Sequence, residues 1–329
     1  MKVFILGKWG GTARWAEDAV EDLRFAGHTI HTFSTRNPAI NRSLERILLS
    51  PAIGAPLTIR LIRMIRRLTP DLILGIGAFD EVSEIIFRQL SSIPYRPPLV
   101  AWIGDIFTAA STDNANRFDL VAYTDSGFLD LHDRLGFSSR RAFIPLAASR
   151  ARLRRVLGAA DRVPRLAFVA APTQNRREIL SQLPEAIDLY GPGWGEGADP
   201  SPHRLESRRV DGDALACIYS THIGALNIRN GKNVINGMNQ RHFAPYLSGA
   251  PVISDRQRDI QGNFDPGAEI LLYDDVEALT EICRAVRRRP EWALSVGDAG
   301  RRRVLAHHTY ALRLEAIARS LGMPVSATA

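Results

Sequence analysis

Two hydropathy patterns alternate along this chain. Short apolar runs, such as MKVFILG (1–7), PDLILGIG (70–77) and PPLVAWIGD (97–105), read as strands buried on both faces. Between them lie stretches whose apolar residues recur at helical spacing. In WAEDAVEDLRFAGH, Trp15, Ala19, Leu23 and Ala26 share one face and Gly27 stops the helix. TIHTFS (29–34) follows as a second strand. The rhythm continues with strands over 70–77, 97–105 and 118–125, a helix in DEVSEIIFRQL, a short helix ending near Leu131, and RRAFIPLAA (140–148) closing the half.

An arginine-rich connector, 149–165, interrupts the rhythm, which then restarts. Strands are expected over 165–171, 187–191, 223–228, 250–255 and 269–275. Helices are expected in NRREILSQLP, DALACIYSTH, MNQRHFAPYLSG (238–249) and VEALTEICRAVRRRP, with a helical tail from about Ala293 in which Gly297 and Gly300 are weak points. The pattern predicts an α/β protein of two similar doubly wound halves. Domains are expected over 1–150 and 165–308, with a linker at 151–164 and a terminal segment at 309–329. Ligands of such sheets bind outside the carboxyl ends of the strands, so the expected site is a cleft between the halves.

Composition narrows the classes. A length of 329 residues suits two domains, and 45% hydrophobic with 23% charged residues is globular. Two cysteines, Cys217 and Cys283, without metal-ligand spacing suggest a reduced, cytoplasmic protein. No apolar run has the length of a signal h-region or of a membrane span. The net charge is +7, carried almost wholly by arginine, with lysine only at 2, 8 and 232. Arginine suits phosphates and carboxylates. No helix-turn-helix, RRM or zinc pattern points to nucleic acid. Residues 42–68 form a basic amphipathic region with Arg60, Arg63 and Arg67 on one face. It reads as a helix lying on the sheet, or alternatively as a peripheral contact with the inner membrane face.

Three loops carry candidate chemistry. Gly7, Gly10, Gly11 and Thr12 follow the first strand, but the spacing is not that of a dinucleotide fingerprint. After the first strand of the second half, Asn175 or Thr173 can cap a helix whose first turn holds Arg176 and Arg177, where a nearby anion would offset the opposed dipole. The loop NIRNGKNVINGMNQRHF (227–243) crowds Asn227, Arg229, Asn230, Lys232, Asn233, Asn236 and Asn239 at a strand end. Backbone N–H groups at Gly237 to Asn239 there suit a phosphate.

The segments FVAAPTQNRREILSQL, DLYGPGW, VDGDALACIYSTHIGALNI, NGMNQRHFAPYLSGAPVISD, FDPGAEILLYDDVEAL and AGRRRVLAHHTYALRLEAI keep an order and spacing, over 165–318, that resembles the CgeB-type (spore-maturation-protein-like) branch of the GT-B glycosyltransferases, group 1. The resemblance implies two facing Rossmann-like domains, a nucleotide-sugar donor held mainly by the second, and a last helix crossing back to the first. By this likeness Arg176 meets the donor diphosphate, Arg209 and Val210 border the base, and Gly237, Met238 and Asn239 face phosphates and sugar. Asn175, Asn227, Lys232, Arg241 and His242 complete the donor set. Gly10, Gly11 and Thr12 belong to the acceptor side. Relatives commonly carry glutamates where this chain has Asn236 and Ala244, which leaves the ribose contact without its usual acid.

An inverting enzyme of this kind needs a base for the acceptor hydroxyl and cations or N–H groups for the departing diphosphate. Asp105 is the first candidate base, Asp80 the second and Asp18 the third. The expectation is a metal-independent transferase using a UDP-, GDP- or dTDP-sugar. It would act on a carbohydrate, glycolipid or protein acceptor in bacterial surface glycan synthesis. The alternatives are a non-catalytic nucleotide-sugar binding protein, then a sugar-nucleotide epimerase, then an NAD-dependent oxidoreductase.

Overall fold

The computed structural model describes residues 1–7, 15–34, 55–77, 87, 90, 93–196 and 202–324. Gly10, Gly11, Thr12 and Asp80, and residues 42–54 of the basic region, lie outside the described residues. The chain divides into two compact units. One holds Met1–Pro145 and Tyr310–Ala329; the other holds Leu146–Thr309.

The first unit is built on a six-stranded parallel sheet. Its strands are β1 (Lys2–Gly7), β2 (Thr29–Ser34), β3 (Leu72–Gly77), β4 (Leu99–Ile103), β5 (Leu120–Tyr123) and β6 (Arg141–Phe143), in the order β2-β1-β3-β4-β5-β6. The central runs are apolar because both faces are covered, and Val3, Phe4, Ile5 and Leu6 are all fully buried. Helix α1 (Trp15–Phe25) and the last helix of the chain, Tyr310–Ser320, pack together here. Trp15 meets Trp102 edge-on at 5.1 Å, Trp102 meets Tyr310 at 5.9 Å, and the buried Asp22 carboxylate accepts the Ala311 N–H at 2.9 Å. On the helix Ala55–Leu68, Leu61, Ile62 and Ile65 enter the core while Arg60, Arg63, Arg66 and Arg67 face solvent.

The second unit carries β7 (Val163–Val169), β8 (Asp188–Tyr190), β9 (Arg204–Glu206), β10 (His222–Asn227), β11 (Val252–Asp255) and β12 (Leu271–Tyr273). All are parallel, in the order β12-β11-β10-β7-β8-β9. The order reverses between β7 and β10, the position where sheets of this class open a ligand crevice beyond their carboxyl ends. Arg162 fastens the opposite edge: its guanidinium donates to the carbonyls of Leu157, Tyr219, His222 and Ser248 at 2.8–3.2 Å.

Three expectations from the hydropathy pattern change. The stretch 238–249 is not an α-helix but two 3-10 segments, Gln240–His242 and Ala244–Ser248. Pro245 cannot donate into a helix and disfavours helical geometry at Ala244, and Gly249 ends the segment at φ 71°. β9 escapes the pattern because it is an exposed edge strand without apolar alternation. Gly297 and Gly300 are not weak points in the helix Pro290–His307. A Cβ on Gly297 would stand 2.5 Å from the Gly249 carbonyl oxygen, so glycine is what lets this helix lie against the chain entering β11.

Candidate functional site

At the carboxyl edge of the second sheet, β10 ends on Asn227, which is fully buried and hydrogen-bonded at every polar atom. Its Oδ1 accepts from Asn239 Nδ2 and from Arg241 Nε, both at 2.9 Å. Its Nδ2 donates to Ser254 Oγ at 3.0 Å and reaches Asp255 Oδ1 at 3.4 Å, and its carbonyl accepts the Tyr273 hydroxyl at 3.0 Å. A buried amide so completely used fixes its neighbours.

His242 is buried in the same network. Its Nδ1 accepts the Asn239 N–H at 3.1 Å, which leaves the ring proton on Nε2, facing Ser254 Oγ at 3.0 Å. Burial and the nearby Arg241 charge push its pKa down to about 3, so the ring is neutral at ordinary pH. Neutral and hydrogen-bonded on both sides, it holds the loop in place. It also takes the Asn239 N–H, one of the groups expected to face a phosphate, out of availability. A three-residue 3-10 segment supplies no substantial dipole in its stead.

Asp255, at the end of β11, lies at the edge of this network. Burial pushes its pKa up, and Arg229 offsets the cost through its backbone N–H at 3.1 Å and its Nε at 3.3 Å. Gln257 Nε2 adds a contact at 3.2 Å. The carboxylate is therefore committed within the protein.

The arginines divide into two kinds. Arg176 is buried, and its Nε and Nη2 both donate to the Ile228 carbonyl, at 3.1 and 3.0 Å, while Nη1 donates to the Ala171 carbonyl at 2.8 Å. Burial first, then the Arg241 charge, bring its pKa down to about 9. With Asn175 Nδ2 on the Arg229 carbonyl at 3.0 Å, it ties the loop after β7 to the loop after β10. Arg241 differs. Only its Nε is used, on Asn227, and the two terminal nitrogens meet no partner among the described residues. Burial pushes its pKa down, with Tyr219 and Asp255 acting the other way. A half-buried guanidinium with its fork unspent, beside a second arginine, is an arrangement that an external oxyanion would stabilise.

The remaining residues scatter. Met238 and Gly237 are buried, Lys232 is exposed, and Asn236 lends its carbonyl to the Asp259 N–H. Arg209 is exposed and paired with Asp211 at 3.3 Å, with Val210 beside it. Ala244 packs against the buried cluster of Tyr219, Ala225 and Ala250. In the first unit Asp105 is exposed just beyond β4, and Asp18 lies on α1. Ser254, Asp255, Tyr219 and Tyr273 were not singled out from the sequence. The one legible signal was the Ser-Asp pair ending the apolar run APVISD. Among the described residues no three His, Cys, Asp or Glu side chains gather as a metal site would require, and no helix is long and apolar enough to cross a membrane.

These features define an α/β chain of two Rossmann-like units, and known structures share that arrangement. HepE from Anabaena, recorded with UDP and glucose, superposes with a TM-score of 0.69 at 13% identity, covering 98% of this chain and 99% of its own. Sucrose-phosphate synthase from Thermosynechococcus elongatus gives 0.64 at 15% identity, covering 98% of each chain. A glycosyltransferase from Rickettsia africae gives 0.65 at 8% identity, covering 97% of each. The fold is GT-B. Residues 173–319, which include the whole Asn227 network, match the family described as Glycosyl transferase-like. No curated protein matches the sequence.

Proposed function

We propose that the protein is a glycosyltransferase that takes a sugar from a nucleotide-diphosphate sugar and passes it to an acceptor hydroxyl. The observation that carries this reading is Arg241: a guanidinium fixed by Asn227, without a carboxylate hydrogen bond among the described residues, at the reversal point of a Rossmann-like sheet. The donor diphosphate supplies the missing charge. Arg176, spent on carbonyls, positions the loops and adds field, whereas Arg241 makes the contact. The family match over 173–319 and the UDP-glucose complex of HepE support a nucleotide-sugar donor, with UDP the first base to test. Asp105 is the proposed base, and the diphosphate leaves against arginine without a metal.

Bacterial surface glycan synthesis, with a carbohydrate, glycolipid or protein acceptor, fits the charge distribution. Residues 36–70 hold seven arginines and one glutamate, nearly all of the net +7 of the chain. An anionic surface at the cytoplasmic face of a membrane suits such a segment. Flotation with phosphatidylglycerol vesicles tests this, and no binding at low salt removes it.

The test of the main reading is calorimetric titration with UDP, GDP and dTDP, followed by transfer assays with their sugars. Neither binding nor turnover across the panel would sink it. A second reading, a non-catalytic nucleotide-sugar binder, is favoured by Asn236 and Ala244 in place of the family's acids. Asp105→Asn separates the two. Under the transferase reading kcat falls by a factor of roughly 100 or more with nucleotide affinity unchanged. Under the binding reading nothing changes.

A further inference from the structure

Tyr219 has a phenol whose position is unexplained by packing alone. It sits on the helix Gly212–Thr221, which leads directly into β10, so the start of that helix lies toward the carboxyl edge of the sheet. Side chains on a helix lean toward its N-terminus, which aims the Tyr219 ring at that edge. The residue is 3% exposed and lies in a cluster with Ala225 and Ala250, against which Val169, Leu215 and Ala244 pack, all with side chains that offer no acceptor or donor. Buried tyrosines ordinarily place the hydroxyl on a partner. Here no described residue takes it, and the oxygen is not among the sealed, unpartnered atoms of the interior. Burial pushes the phenol up to about 12, and the Arg241 charge acts on it in the opposite sense.

Two unfilled hydrogen-bond donors thus lie on one side of the second sheet, the Tyr219 O–H and the Arg241 fork: Tyr219 belongs to the cluster that Ala244, three residues after Arg241, packs against, and no described residue supplies an acceptor to either donor. We propose that Tyr219 is a second ligand for the oxyanion received by Arg241, donating its hydroxyl to a phosphate oxygen of the bound nucleotide. This deepens the transferase reading and rests on it. It also gives Ala244 a role. A glutamate growing from that position would start inside the Tyr219 cluster, three residues from Arg241, and would offer both donors an internal carboxylate. A methyl group leaves both donors open to the ligand. The missing acid then reflects a site that recognises its nucleotide through donors to phosphate.

The experiment compares the full-length protein with its Tyr219→Phe variant by calorimetry, using UDP, inorganic pyrophosphate and uridine, with a thermal melt of each. The lost hydroxyl has no partner among the described residues, so the variant is expected to melt at the same temperature or slightly higher. Its affinity for UDP and for pyrophosphate is expected to fall roughly tenfold, with uridine unaffected. Unchanged affinity for UDP and pyrophosphate overturns the proposal. So does a loss for UDP and uridine with pyrophosphate unchanged, which puts the hydroxyl on the nucleoside. If the wild type binds pyrophosphate but no nucleotide, the nucleotide reading fails and the pyrophosphate ratio alone judges Tyr219. If it binds neither, both fail.

Discussion

Arg176 and Arg241 look alike in the sequence and have opposite expected behaviour on substitution. Arg176→Ala removes three charge-assisted bonds to the carbonyls of Ala171 and Ile228, and strands the Ile228 oxygen, which accepts two of them. A charged hydrogen bond contributes about 1.5–3 kcal/mol and a stranded buried acceptor costs about 1–3 kcal/mol. Against this stands the cost of burying the guanidinium, visible in a pKa brought down to about 9. The net expectation is a loss of roughly 2–4 kcal/mol. For a unit of this size that lowers the melting temperature by about 5–15 °C. Arg241→Gln removes one bond to Asn227 and one desolvated charge that repels Arg176, so the melt should move by no more than about 2 °C. Its effect falls on ligand: UDP affinity should drop by about 1.5–3 kcal/mol, roughly 10- to 150-fold. Calorimetric melts and titrations on both variants give the crossed result directly. The reasoning is refuted if Arg241→Gln unfolds the protein as readily as Arg176→Ala while leaving UDP binding intact.

Two further expectations concern stability. Gly297→Ala places a methyl 2.5 Å from the Gly249 oxygen and 2.8 Å from the Pro251 nitrogen, both backbone atoms that cannot swing aside. The overpacking cost of about 1–3 kcal/mol should exceed the gain of about 0.5–1 kcal/mol in helix propensity, and a melting temperature equal to or above wild type would contradict this. His242 has a folded pKa near 3 and an unfolded value near 6.5, so the unfolded chain binds more protons between them. Stability is therefore full above pH 6.5 and lost as the pH falls toward 3, by at most about 1.4 kcal/mol per unit. Denaturant titrations from pH 7 to 4 should show a shallower slope for His242→Gln; an identical slope would remove His242 as the source.

The α/β rhythm, most strand positions and the restart of the pattern after the arginine-rich connector were legible in the sequence. Burial on both faces of a parallel sheet writes itself as continuous apolar runs. The polar loop 227–243 stood out in the sequence as a candidate because asparagines crowd at a strand end, but that Asn227 and Asn239 are tied to each other inside the protein was not visible there. What the sequence could not hold is the use each polar group is put to. Arg176 and Arg241 both sit at the start of a helical segment, and only the Ile228 and Ala171 carbonyls, brought in from two different loops, decide that one is spent and the other open. Asp255 lies 28 residues from Asn227 and Tyr219 sits on another element from Arg241, and no periodicity announces either placement. Local pattern determined the elements, because burial acts residue by residue. The tertiary structure alone decided the chemistry, because a hydrogen bond or an unmatched charge depends on what the rest of the chain brings within reach.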